Sequence, residues 1–167
     1  MTVYLLDVNV LIALIDPAHL QHEQAHDWFA QVGRKAFATC PLTENGLVRI
    51  VGHPKYPNSP GPPSTVLASL VAIRGLPGHT FWPDDVSIAD EAFFAPELLS
   101  SHSRVTDSYL LALAHKNGGR LATMDQKLAR WSAGPSTCAS LHQADPAPCE
   151  ACPHWKLIKS PAQLGHT

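Results

Sequence analysis

Residues 105–125, VTDSYLLALAHKNGGRLATMD, constrain the fold of this chain more than any other stretch. Thr106 reads as an N-cap, with Asp107 in the first helical turn. Leu110, Leu111, Leu113 and Ala114 then supply an apolar helical face. Gly118-Gly119 stops the helix, and the residues from Arg120 to Met124 read as a short buried strand running into Asp125. A helix followed so closely by a parallel strand brings two carboxylates to one edge of a sheet. In open α/β sheets, ligands bind at the carboxyl ends of the strands. The chain begins with a matching piece: Val3-Tyr4-Leu5-Leu6 is an apolar strand that ends in Asp7.

The remaining segments extend the same alternation. A short helix follows Asp7 and stops near Asp16-Pro17. From about 18 to 32, His22, Ala25, Trp28, Phe29 and Val32 fall at helical spacing. Residues 35–39 read as a second strand, and Thr43 as the cap of a helix from Glu44 to Gly52. A proline-rich loop covers 53–63. Ser64 caps a further helix with Leu67, Leu70 and Val71 inward, and Pro77 ends it. Residues 80–82 form a third strand, followed by a helix at about 87–94; another short helix spans 126–131. Strands alternating with helices predict an α/β three-layer sandwich, a mostly parallel central sheet flanked by helices.

With 167 residues the chain suits one domain with a substantial core. Residues 133–154 are rich in Pro, Ala, Ser, Cys and His and show no period, so they read as a loop or insertion. Residues 155–158 look like a last strand, and the tail to 167 belongs to the same domain as 1–132. A net charge of −2 gives no global basic signature for nucleic acid, although carboxylates gathered in a site would mask a local patch. The N-terminus lacks a basic leader region, and the apolar run from Val8 to Ile15 is far shorter than the ~20 residues a membrane helix needs. A cytoplasmic protein without membrane contact is the expectation. Three of the four cysteines crowd the C-terminal region, which does not suit a disulfide framework.

Four acids stand at element edges. Asp7 and Asp125 end strands; Glu44 and Asp107 start helices. With parallel strands, all four share one rim. Each alone has a structural explanation in the helix macrodipole or in turn chemistry. Together they repel one another unless a cation lies between them. A hard ion such as Mg²⁺ or Mn²⁺ prefers such oxygen ligands, can generate hydroxide from water and can stabilise a phosphoryl transition state. The absence of His from these positions argues against a zinc hydrolase.

The segments LLDVNVLIAL (5–14), TENGLVRIV (43–51), VTDSYLLALA (105–114) and LATMD (121–125) resemble a PIN domain of the VapC toxin type. HPKYPNSP, PGHTFWPDD and KNGGRLATMD resemble it too, and the likeness spans most of 1–132. The resemblance implies a metal-dependent endoribonuclease of a type II toxin–antitoxin system, with Asp7, Glu44, Asp107 and Asp125 as its catalytic and metal-binding acids. Asn9 and Thr106 become supporting residues, Asn9 positioning Asp7 and Thr106 holding Asp107 through the helix cap. It also implies a VapB-like antitoxin partner, a homodimer, and products with 5′-phosphate and 3′-hydroxyl ends.

Arg49, Arg104 and Lys127 are the candidate RNA contacts, with Lys116, Arg120 and Arg130 expected to cluster around the last two acids. Cys138, His142, Cys149 and Cys152 have the spacing of a zinc knuckle, and free or redox-paired thiols in a loop are the competing reading. Two other functions compete. One is a PIN-fold protein that binds RNA or a partner without cleaving. The other is a phosphatase with Asp7 as nucleophile; such enzymes carry a second Asp two residues on, where this chain has Asn9.

Overall fold

The computed structural model describes residues 1–90, 93–94 and 101–124. The short helix expected at 126–131, the strand expected at 155–158, Asp125, Lys127, Arg130 and the whole cysteine–histidine tail lie outside the described residues. So does the possible zinc site at Cys138, His142, Cys149 and Cys152.

Among the described residues, the core is a four-stranded parallel sheet in the order β3-β2-β1-β4, built from β1 (Tyr4–Leu6), β2 (Phe37–Thr39), β3 (His79–Phe81) and β4 (Arg120–Ala122). Helices α1 (Val8–Ile15) and α2 (His22–Gln31) connect β1 to β2; α3 (Pro41–Val51) and α4 (Pro63–Arg74) connect β2 to β3; α5 (Val105–Lys116) precedes β4. Strand alternation divides the apolar residues between two faces. Tyr4, Leu6, Phe37 and Ala122 pack on one side against residues of α1–α4, including Leu11, Trp28, Phe29, Leu47 and Leu70. Leu5, Ala38 and Leu121 face the other side with Trp82, Leu110 and Leu113, the last two from α5. This is the α/β sandwich that the strand–helix alternation predicts.

Several boundaries and faces differ from the sequence reading. The helix after β2 begins at Pro41, and its N-cap is Cys40. Thr43 is therefore inside the first turn, where its Oγ1 accepts from the Cys40 N–H at 3.1 Å. Ser64 also lies inside its helix, whose N-cap is Pro62. Proline at N1 explains both shifts, because its fixed φ suits the first turn and its missing N–H would have no partner there. In α4 the inward residues are Val66 and Leu70, while Leu67 and Val71 are exposed at 49% and 61%. The helix is apolar on both flanks, so periodicity alone selects the wrong one. Residues 87–90 form a turn closed by Asp90 N–H to Ser87 C=O, and the rest of the helix expected at about 87–94 lies only partly within the described residues.

The Gly118-Gly119 stop is physically required. Gly118 has φ +63°, the left-handed conformation that ends a helix. A Cβ on Gly119 would stand 2.5 Å from Trp82 and 2.6 Å from the Val3 carbonyl. That carbonyl accepts the Arg120 N–H at 2.9 Å, so it cannot yield without loosening the β1–β4 seam.

The proline-rich loop after α3 is tied to the end of α1. Asp16 is buried and accepts from the Tyr56 hydroxyl, the Asn58 Nδ2 (3.0 Å) and the Ala18 N–H (2.9 Å). Burial pushes the Asp16 carboxyl up, but these hydrogen bonds outweigh it and hold the group below the ordinary carboxylate value. Tyr56 is pushed up to about 12 by burial and by its bond to Asp16. A depressed carboxylate stabilises the fold above its unfolded pKa, and that contribution is lost as pH falls through the folded value. Tyr56→Phe is therefore expected to cost about 1.5–3 kcal/mol at pH 7, the range for hydrogen bonds to charged groups. In urea titrations the gap to the parent protein should close at pH values below the lowered Asp16 pKa. An equal gap across that range would refute a charge-assisted tie.

Candidate active site

Asp7 follows β1 directly and is the N-cap of α1. Its N–H bonds the Ala122 carbonyl at 3.0 Å, and its own carbonyl accepts from Leu11 at 3.1 Å. The chain therefore turns from strand to helix at this residue while remaining paired to β4. The side chain is only 7% exposed. Burying a carboxylate is costly unless donors meet it. Here the Thr123 hydroxyl donates to Oδ2 at 2.9 Å, and the positive end of the α1 macrodipole lies beneath. Thr123 is the first residue beyond β4, and Leu6 and Ala122 are partners in register. The ends of two adjacent strands thus meet at Asp7.

Asp107 occupies the first turn of α5 and is half-buried. Because α5 precedes β4 with only a short turn between, its C-terminus lies where β4 starts. Its first turn then returns to the edge where β4 ends, the edge that holds Asp7 and Thr123. Glu44 reaches the same edge from the first turn of α3, which follows β2. Parallel strands with antiparallel helices thus place three of the four predicted acids on one rim.

Glu44 is held on both oxygens. The Thr39 hydroxyl donates to Oε1 at 2.6 Å, and Arg74 Nη1 donates to Oε2 at 3.2 Å. Thr39 is the last residue of β2 and fully buried; Arg74 is the last residue of α4. His79 Nε2 lies 2.7 Å from the Thr39 oxygen. Because the single Thr39 proton goes to Glu44, the His79 ring must donate. Burial, and then the Arg74 charge, push the His79 pKa down against the pull of Glu44, which favours the neutral, donating ring. The Arg74 guanidinium also stacks 4.8 Å from the centre of the Phe81 ring. Motif reading missed Thr39, Arg74, His79 and Thr123. Their only sequence signal was position at the end of a strand or helix.

Thr106 is not the N-cap of α5: the cap position is Arg104, whose side chain makes no cap hydrogen bond, and a 3₁₀ turn (His102–Arg104) leads into the helix. The Thr123 hydroxyl bonds Asp7, and Asn9 is exposed in the first turn of α1. Lys116 and Arg120 do not surround Asp107. Lys116 ends α5 and Arg120 starts β4, both at the opposite edge, and Lys116 pairs with Asp85 at 2.9 Å. Arg104 lies at the rim beside α5. Arg49 is exposed in the last turn of α3, and the arginine that bonds Glu44 is Arg74.

Other reactive groups near the rim do not suit catalysis. Cys40 is fully buried under the start of α3, and burial pushes its thiol up, so it stays protonated. The acids themselves offer only oxygen donors, the chemistry that Mg²⁺ and Mn²⁺ prefer. Among the described residues, no three His, Cys, Asp or Glu side chains converge closely enough to enclose an ion. The fit to a divalent metal therefore rests on donor type and shared placement.

Comparison with known proteins decides the family. The family model of the PIN domain matches residues 4–133. The protein called Ribonuclease VapC39 of Mycobacterium tuberculosis (strain ATCC 25618 / H37Rv) is 46% identical over 125 residues, covering 75% of this chain and 90% of the relative. The chain belongs to the VapC family of PIN-domain proteins. Ribonuclease VapC44 from the same strain is 42% identical over 125 residues, covering 75% and 87% of the two chains. Ribonuclease VapC29 is 39% identical over 126 residues, with the same shares. For this VapC-family chain, the strand-end and helix-start acids are thus set within a PIN domain. No helix among the described residues is long and apolar enough to cross a membrane.

Proposed function

We propose that this protein is the toxin of a type II toxin–antitoxin system and a Mg²⁺- or Mn²⁺-dependent endoribonuclease acting in the cytoplasm. The observation that carries the reading is Asp7: a buried carboxylate at a strand end, oriented by Thr123, on the rim that also receives Asp107 and Glu44. Relatives named ribonucleases support RNA as the substrate. Asp7, Asp107 and Asp125 would hold the metal, with Glu44 as a further ligand or as the group that orients water. The bound ion would supply activated water and charge stabilisation at the scissile phosphate. Exposed cations such as Arg104 and Arg49, together with Lys127, would position the backbone of the RNA strand without reading its sequence. A VapB-like antitoxin, a homodimer, and a nuclease domain over 1–132 with an insertion at 133–154 belong to the same reading.

Purified full-length protein is expected to cleave structured RNA with Mn²⁺ or Mg²⁺, leaving 5′-phosphate and 3′-hydroxyl ends. Chelation by EDTA should reduce cleavage to background, and re-added Mn²⁺ should restore it. Retention of RNA without cleavage under every metal condition would show the domain to be a binding module instead.

A further inference from the structure

Beside the rim acids stands a second polar cluster, bonded across three elements. Thr39 ends β2 and Arg74 ends α4, and both bond Glu44 directly; His79 starts β3 and reaches Glu44 through the Thr39 hydroxyl. We infer that Thr39, His79 and Arg74 are positioning residues that clamp the Glu44 carboxylate in one orientation, so that it accepts a hydrogen bond from water instead of ligating the metal directly. The inference rests on the metal-nuclease reading above and adds to it three residues and one division of labour.

The geometry carries the argument. A carboxylate has about four acceptor sites on two oxygens. Thr39 occupies one on Oε1 and Arg74 one on Oε2, so both oxygens are engaged from the protein side. A carboxylate fixed at both oxygens cannot rotate to offer a bidentate edge to an ion, and the paired Arg74 charge weakens its pull on a cation through either remaining site. It still retains acceptor capacity for a water proton. Glu44 is moreover bonded to the Arg74 guanidinium, which balances its charge.

Each clamp member is itself fixed. Thr39 is fully buried, and the His79 ring holds its oxygen so that the hydroxyl proton can go only toward Glu44. The His79 ring in turn lies 5.3 Å from the Phe37 ring, in the core. The Arg74 side chain is 43% exposed, yet its guanidinium carbon lies over the Phe81 ring, 4.8 Å from its centre. Lysine at this position would keep the charge but lose both the planar stack and the fork of donors. Register explains why the cluster assembles: Thr39 and Phe81 are paired residues of β2 and β3, and His79 stands opposite Phe37.

Two measurements on the full chain test this. Calorimetric titration with Mn²⁺ compares the parent protein with Asp7→Asn, Glu44→Gln, Arg74→Ala and Thr39→Val. Steady-state RNA cleavage with saturating Mn²⁺ separates kcat from KM for the same set, with Arg74→Lys and Thr39→Ser added. Misplacing a catalytic group by about 1 Å costs on the order of 10²-fold. Arg74→Ala and Thr39→Val are therefore expected to lower kcat about 10- to 100-fold, with KM and Mn²⁺ affinity unchanged. Thr39→Ser should restore kcat because it restores the hydroxyl, and Arg74→Lys should restore only part. Glu44→Gln should bind Mn²⁺ like the parent, while Asp7→Asn should not.

If Glu44→Gln weakens Mn²⁺ as much as Asp7→Asn does, Glu44 is a direct ligand and the inference is overturned. If Arg74→Ala raises KM with kcat intact, Arg74 is a phosphate contact and not a clamp. If the parent protein itself binds no Mn²⁺, the metal-nuclease reading fails first, an outcome visible separately in the parent titration.

Discussion

Asp7→Asn is expected to eliminate RNA cleavage while leaving the fold intact. Even changes to groups that only support a metal ligand cost 10- to 100-fold in affinity or activity, so loss of a ligand itself should exceed about 10²-fold in kcat/KM. The structural cost should be small for a definable reason. Asn keeps an oxygen that can accept the Thr123 hydroxyl, and the backbone bonds to Ala122 and Leu11 are unaffected. Removing one negative charge from a rim shared with Asp107 and Glu44 also relieves repulsion. Thermal denaturation should thus give a midpoint at or slightly above that of the parent, and the variant should no longer arrest growth on overexpression. Asp107→Asn should behave in the same way. Full toxicity in either variant would move the site elsewhere.

The second large effect concerns stability. Phe37 is fully buried at the start of β2, with the Phe29 ring 5.0 Å away in an edge-to-face arrangement. Phe37→Ala is expected to cost about 3–5 kcal/mol, combining lost transfer energy with the cavity left behind. For a protein of this size, 1 kcal/mol shifts Tm by about 2–4 °C, so the midpoint should fall by roughly 6–20 °C. The His79 ring packs on the same phenyl group, so the clamp on Glu44 should loosen as well. Activity below the lowered melting range should then fall further than the folded fraction alone accounts for. A Tm shift under about 2 °C would mean that the site collapses around the deletion, contrary to the close packing of these rings.

Both effects arise from the same arrangement. Each strand is only three residues long, so a residue that packs the core is one or two positions from a residue that serves the rim. Leu6 fills the core and Asp7 begins the site. Phe37 fills the core, and Thr39 holds Glu44 two residues later. Ala122 is buried and Thr123 donates to Asp7. Core stability and site geometry are therefore closely linked in this fold.

Strand alternation, the apolar runs and the Gly118-Gly119 stop made the parallel α/β architecture legible from residues alone, because period and helix termination are local properties of the chain. The placement of Asp7, Glu44 and Asp107 at element edges was legible for the same reason. Periodicity failed in α4, where apolar residues lie on both flanks and only the neighbouring elements select Val66 and Leu70 as the buried pair. Cap assignment failed at Thr43 and Thr106 because proline at N1 and a preceding 3₁₀ turn shifted the helix starts. The pairing of Thr123 with Asp7 spans 116 residues, and that of Arg74 with Glu44 spans 30. No local pattern encodes a partner at such distance. The sequence by itself put Asp7, Glu44 and Asp107 at element edges; the register of the parallel strands decided which side chains bond Asp7 and Glu44, because only register brings residues from separate strands and helices within hydrogen-bond reach.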